Sequence, residues 1–200
     1  MPESPTRVEA FSDGVFAIAI TLLILEIHVP HVEHGLWNGL LALWPSYVAF
    51  LMSFAVILIM WVNHHELLRM VADVNYPFLF ANGLLLLSIT FVPFPTAVLA
   101  AHLGTAEAKS AVAFYCATFV VNALTWNLLF YTIVRGGLLR SHVTAATVAG
   151  IRRAYFIGPL VYLLSTAVAL VKPVLGLLVN LSLWILWIRL GYRPEREGAL

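Results

Sequence analysis

Three groups of side chains in this sequence are of types that could do chemistry, and each lies in or beside apolar sequence. Arg7, Phe11, Ser12 and Asp13 head an apolar run that carries Thr21 and ends near Glu26. Trp61, His64, His65 and Glu66 close a second apolar run. His28, His31 and His34 form a spaced trio in a stretch that contains Pro30. Histidines beside a carboxylate suit a metal, but neither histidine group has His-Glu-x-x-His or cysteine-rich zinc spacing, so no metal site is expected. Hydrolysis within a membrane needs a nucleophile and a base at one depth. Ser12 and Asp13 are adjacent rather than stacked, and no Gly-x-Ser-x-Gly occurs, so no catalytic residue is assigned. Charged groups at membrane depth are costly and normally face protein or water, with partners.

Spacing sharpens that reading. At 100° per residue, Ile18, Thr21 and Leu25 fall within about 60° of one another, in a stripe about 10 Å long. Asp13 lies about 140° from Ile18 on the same wheel. One face therefore offers an apolar stripe with one hydroxyl, and another offers a carboxylate. Read from periodicity alone, such a stripe packs on neighbouring helices, as in any bundle, with the threonine bonding back to its own turn. Trp61 shares a helix face with His64 and His65, at i+3 and i+4.

The elements that carry these groups are membrane helices. The chain is 62% hydrophobic and 10% charged, against roughly 25% charged in a soluble domain, and its mean hydropathy is +0.93. Too few polar groups exist to clothe a water-facing surface. A net charge of +1 argues against nucleic acid as a partner. The lone Cys116 makes no internal disulfide, and no cleavable leader is expected before the first apolar run. Six spans near the ~20-residue length of a bilayer crossing are expected: Val8–Ile27, Leu40–Val62, Pro77–Ala100, Ala111–Val134, Ala154–Val171 and Pro173–Leu190. Lys172-Pro173 makes the last two a tight hairpin, Pro93 and Pro95 bend or end the third span, and Gly136-Gly137 marks the turn after the fourth. Six spans put Arg7, Arg69, Arg135, Arg140, Arg152, Arg153, Arg189, Arg193 and Arg196 on one side and Lys109 and Lys172 on the other. That asymmetry predicts both termini in the cytoplasm. The expected fold is an all-α integral membrane protein with six transmembrane helices, one domain over 1–190 and a short cytoplasmic tail over 191–200. No repeat relates the two halves, against the habit of many secondary transporters, and Asn122, Thr125 and Asn127 are expected to bond to neighbouring helices.

The run Arg7-x-x-x-Phe11-Ser12-Asp13, followed by Gly14-Val15-Phe16-Ala17-Ile18-Ala19-Ile20-Thr21-Leu22-Leu23, resembles the first-helix signature of the transmembrane protein 175 family. That family comprises endosomal and lysosomal potassium channels and their prokaryotic relatives. The resemblance is densest over Arg7–Ile27, looser through Trp61-Val62-Asn63-His64-His65, and its span count matches the prokaryotic six-helix branch. It implies a homotetramer in the cell membrane that passes K⁺ passively through a central pore lined by the first helix, with no cofactor. The Thr-Val-Gly-Tyr-Gly filter of ordinary potassium channels is absent from the family and from this sequence. By the family pattern Ile18 and Leu25 constrict the pore and Thr21 contributes to selectivity. Arg7, Phe11, Ser12 and Asp13 with Trp61 and His64 or His65 join the first two helices. Apolar rings block ions when narrow enough to dewet. Weak neutral hydroxyl ligands should favour potassium, which sheds water more easily than sodium, only moderately. Glu26 is either an acidic ring at the outer mouth or a solvated loop-edge carboxylate. Arg7 lies about 20° from Ile18 on the wheel. The helix start must therefore bend, or Arg7 must pair with Ser12, Asp13 or a neighbouring chain. A secondary transporter or an intramembrane enzyme is the alternative.

Overall fold

The computed structural model describes residues 5–30 and 35–191. Eight α-helices run in order: α1 Thr6–Leu22, α2 Leu36–Ala42, α3 Trp44–Arg69, α4 Tyr76–Thr90, α5 Pro93–His102, α6 Ala108–Arg135, α7 Ala145–Ala169 and α8 Pro173–Gly191. A 3-10 turn, Leu23–Glu26, continues α1. The described residues form no strand beyond one isolated bridge, Val71 with Leu139. Helices are what lipid demands, because each backbone N–H and C=O must find its partner within its own segment.

Among the described residues, five stretches are long and apolar enough to cross a membrane: Thr6–Glu26, Trp44–Arg69, Tyr76–His102, Ala108–Arg135 and Pro173–Leu190. The expected fifth span is the exception. It is helical, but α7 begins at Ala145 rather than Ala154, and it carries Arg152 and Arg153 and an internal Pro159. The second expected span also runs further than its apolar sequence, to Arg69, so Asn63, His64, His65 and Glu66 are helical.

Prolines set the breaks. Pro93 has no N–H for the carbonyl four residues back, and its ring crowds that carbonyl. Accordingly α4 stops at Thr90, Val92 N bonds to Ile89 O at 3.1 Å, and α5 restarts at Pro93. Pro45 sits in the first turn of α3, just after α2 ends. Asn75 caps α4 by accepting from Phe78 N at 3.0 Å. Thr144 caps α7 by accepting from Thr147 N at 3.2 Å. Lys172-Pro173 turns α7 into α8 as a tight hairpin. A Cβ on Gly176 would sit 2.6 Å from Ala169 Cβ, so glycine is what allows the two helices to approach so closely.

The core is built around α6, which buries Tyr115, Phe119, Leu129 and Ile133 and packs on α4, α5, α7 and α8. Polar groups on α6 are joined to its neighbours. Asn122 Nδ2 donates to Ser88 Oγ at 2.8 Å, and Asn127 Nδ2 donates to Tyr155 O at 2.7 Å. At one end of the bundle, Arg140 N donates to Met70 O and Arg140 Nε to Arg69 O, both at 2.9 Å. These bonds tie the segment after α3 to the segment after α6. His65 meets Glu9 at the same end. The start of α1, the end of α3 and the end of α6 therefore lie together.

Candidate functional site

One face of α1 is turned inward. Ser12, Phe16 and Ala19 are buried, and Leu23 follows in the 3-10 turn. These positions repeat at helical spacing and meet α3 and α4. Within that contact lies a buried polar chain. Asn82 Nδ2 donates to Ser12 Oγ at 3.1 Å, and Asn82 Oδ1 lies 2.8 Å from His64 Nε2. An amide oxygen only accepts, so this arrangement assigns the proton to His64 Nε2. Ser12, His64 and Asn82 are all buried. Around them, the Phe16 ring lies 5.4 Å from the imidazole and Trp126 meets it edge-on at 6.1 Å.

Two further contacts tie α1 to α3. Trp61 Nε1 donates to Asp13 Oδ1 at 2.8 Å, and the same indole stacks on His65. His65 Nδ1 lies 3.1 Å from Glu9 Oε1. Both of those side chains are substantially exposed, so solvent screens the pair and it adds little stability.

The motif residues therefore divide. Ser12, Asp13, Trp61, His64 and His65 come together between α1 and α3. Arg7 and Phe11 do not join them. Phe11 is 66% exposed, and Arg7 is exposed with no hydrogen bond or ion pair among the described residues. The expected pairing of Arg7 with Ser12 or Asp13 is not what this chain makes: Ser12 is taken by Asn82 and Asp13 by Trp61. The reason is angular, since Arg7 lies on the side of α1 opposite Ser12. Sequence reading missed Asn82 and Glu9. Asn82 carried a usable signal, being the one carboxamide in the apolar run Tyr76–Thr90, where such a group needs a partner.

The opposite face of α1 is open. Ile18 is 59% exposed, Leu25 is 66% exposed, and Gly14, Ala17 and Thr21 are exposed beside them. Leu25 belongs to the 3-10 turn, so the 100° wheel does not extend to it. A 3-10 turn winds three residues per turn, yet Leu25 still faces away from the chain. Thr21 Oγ1 donates to Ile18 O at 2.9 Å. That bond occupies the hydroxyl proton and leaves the oxygen lone pairs free to accept a cation. Glu26 is half-buried at the end of the turn. No group of His, Cys, Asp and Glu among the described residues is arranged to hold a metal. His31 and His34 lie outside the described residues, as do 192–200 of the expected tail.

The family model for the endosomal/lysosomal potassium channel TMEM175 matches residues 7–93, a range that contains the site residues on α1, α3 and α4 but not Trp126 of α6. A potassium channel of Chamaesiphon minutus is 48% identical over 198 residues, covering 96% of this chain and 95% of its own. A potassium channel of Streptomyces collinus is 46% identical over 201 residues, 96% of each chain. Among solved structures, the crystal structure of a lysosomal potassium-selective channel TMEM175 homolog from Chamaesiphon minutus superposes with a TM-score of 0.82 at 43% identity. That match covers 94% of this chain and 98% of the other.

Proposed function

Since the chain belongs to the TMEM175 family, we propose that it is a subunit of a potassium-selective cation channel in the cell membrane, with α1 lining a central pore. The family consists of channels rather than enzymes, and the permeant ion is the only cofactor-like species the reading needs. One observation carries the assignment of the pore helix: α1 is fastened to its own bundle by Ser12, Asp13 and Phe16 while Ile18, Thr21 and Leu25 face away from it. The outward face includes Gly14, Ala17 and Thr21, small residues of the kind that let membrane helices approach one another. Copies of α1 meeting around an axis, four in the tetramer we infer from the family resemblance, bring Ile18 and Leu25 into apolar rings. Thr21 forms an oxygen ring between them. Glu26 stands at the outer mouth, where an acidic ring would concentrate cations.

Six spans fit this reading. Although α7 is less apolar than the rest, its 25 residues extend about 37 Å, beyond the ~30 Å hydrocarbon core. It packs along α6 and α8. With α7 as a span, the arginine-rich ends of α1, α3, α6 and α8 share one face of the membrane, and the positive-inside rule makes it cytoplasmic. Residues 1–190 then form one channel domain.

Recording from purified protein in planar bilayers, with potassium and sodium on opposite sides, tests the proposal. Wild type should conduct, with a reversal potential that favours potassium moderately. Thr21→Ala should conduct with that preference reduced, because methyl groups replace the oxygen ring. Protein that never passes potassium, or a saturating and slow flux, would overturn the channel reading. An unchanged reversal potential in Thr21→Ala would remove the threonine from selectivity.

A further inference from the structure

Away from the α1 face, α7 runs unbroken from Ala145 to Ala169 although Pro159 stands inside it. Proline has no N–H, so the carbonyl four residues back, that of Tyr155, loses its helical donor, and the ring crowds the same oxygen. A bare carbonyl is costly in lipid, and proline is tolerated in a spanning helix where a neighbouring helix satisfies the freed group. Here the neighbour is α6. Asn127 Nδ2 donates to Tyr155 O at 2.7 Å and to Ala123 O, one turn back on its own helix, at 2.8 Å. A carboxamide has two N–H groups, so each carbonyl receives one.

The two halves of α7 are held differently. After Pro159, Tyr162 OH accepts from Trp187 Nε1 at 3.0 Å and Ser165 Oγ donates to Gly176 O at 2.8 Å, so polar bonds fasten the second half to α8. Before Pro159, Tyr155 meets Trp126, Phe130 and Trp187 edge-on, and the Asn127 bond adds a polar tie to α6. Gly158 lies directly against Trp187, where a Cβ would sit 2.9 Å from the indole. A water-sized space beside Tyr155, Tyr162 and Trp187 leaves the helix loosely packed at this level.

We propose that α7 holds a hinge at Gly158-Pro159 and that Asn127 is its clasp. With the bond to Tyr155 O made, residues 145–158 continue 160–169 as one rod. With the bond broken, the first half turns about Pro159 while the second half stays on α8. The moving half carries Arg152 and Arg153. The connection leading into it is tied to the segment after α3, where Ala72 N donates to Leu138 O at 2.8 Å. The hinge therefore acts on the end of the bundle where α1, α3 and α6 meet. It follows from the packing of α7 and does not depend on which ion the protein passes.

The test is hydrogen–deuterium exchange of the intact purified protein in detergent, read by mass spectrometry, on Asn127→Leu, Pro159→Ala and the double variant. Asn127→Leu takes the donor from Tyr155 O. It should speed exchange over 145–158 about threefold, the factor set by an average hydrogen bond between membrane helices, and leave 160–169 as in wild type. Pro159→Ala returns an N–H to position 159, so the double variant should exchange as wild type over 145–158. A bond that only joined α6 to α7 would cost the same with proline or alanine at 159, so rescue by alanine separates a clasp from an ordinary contact. If Asn127→Leu does not fold, recovery of folded protein in the double variant supports the clasp, and Pro159→Ala alone should slow exchange over 145–158. Unchanged exchange in Asn127→Leu, faster exchange spread equally over both halves, or a double variant that is not rescued would each overturn the proposal. Because no readout uses ion flux, its failure is separable from failure of the channel reading.

Discussion

At the scale of residues, the hold on α1 comes from two hydrogen-bonded sets with different substitution signatures. Trp61 donates to Asp13 across 2.8 Å, and what it needs is an acceptor rather than a charge. Asp13→Asn keeps an amide oxygen that can accept, whereas Asp13→Ala removes it. We predict that Asp13→Ala and Trp61→Phe each destabilise the protein by about 1 kcal/mol, that the double variant costs little more than either, and that Asp13→Asn costs less. Thermal unfolding in detergent measures all four. Equal losses for Asn and Ala at position 13 would mean that the charge, not the bond, matters. Asn82 is the more exacting position, because it stands between Ser12 and His64. Asn82→Leu leaves the Ser12 hydroxyl and His64 Nε2 without partners, and His64 Nδ1 has none already. Hydrogen bonds between membrane helices average only about 0.6 kcal/mol, but stranded buried groups cost about 1–3 kcal/mol. We therefore expect Asn82→Leu to lose about 1–2 kcal/mol, more than Ser12→Ala, which removes one end of the chain. If the order of the two melting temperatures is reversed, Asn82 is not the centre of the network.

At the scale of elements, the sequence was most readable where proline acts and least readable where tertiary partners act. Pro93 and Pro95 announced the break between α4 and α5, and Lys172-Pro173 announced the hairpin, because a missing N–H is a local fact. At the end of α3 the shared helix face of Trp61, His64 and His65 was legible, but the partners of His64 were not. His64 is buried by Asn82, Phe16 and Trp126, and the helix runs on past its apolar sequence to Arg69. Nothing in the composition of Leu23–Glu26 signals a 3-10 turn. It is a property of packing, since the turn rests on α3 and α5. In turn α5 is fixed by a buried hydroxyl knot: Ser53 Oγ lies 2.6 Å from Thr96 Oγ1 and 3.1 Å from Tyr115 OH. Thr96→Val keeps the shape and removes the bond. We expect it to lower stability by about 1 kcal/mol and to alter unitary conductance, because Leu25 sits on the turn that α5 supports. The potassium preference should be unchanged, because Thr21 lies within α1 proper. Single-channel recording with a parallel melting curve separates these effects. Altered stability with wild-type conductance would show that the turn does not depend on the knot.

At the scale of the whole molecule, burial is uneven among the spans. Over the most apolar window of each span, 56% of α6 is buried but only 22% of α1. The helix with the most demanding polar anchors is thus among the least covered. An open apolar face is ordinary in lipid, where tails are as apolar as leucine, so exposure alone does not separate a lipid-facing stripe from a pore-lining one. A soft metal does separate them. Ile18→Cys places a thiol at the expected constriction, where thiolates from several subunits converge on one axis and make a site for Cd²⁺. Cys116, the native thiol, is buried in the bundle and does not compete. We predict that cadmium blocks potassium current through Ile18→Cys and leaves wild type unaffected. Phe80→Cys, at a 75% exposed position on α4, should behave as wild type. Native mass spectrometry of the same preparation should give four subunits. A conducting Ile18→Cys channel indifferent to cadmium, or block in Phe80→Cys instead, would place the permeation path on another face of the bundle. The inward anchors of α1 would then serve the fold alone, because the Ser12, Asp13 and Phe16 contacts gain a role in conduction only through the helix face they leave free.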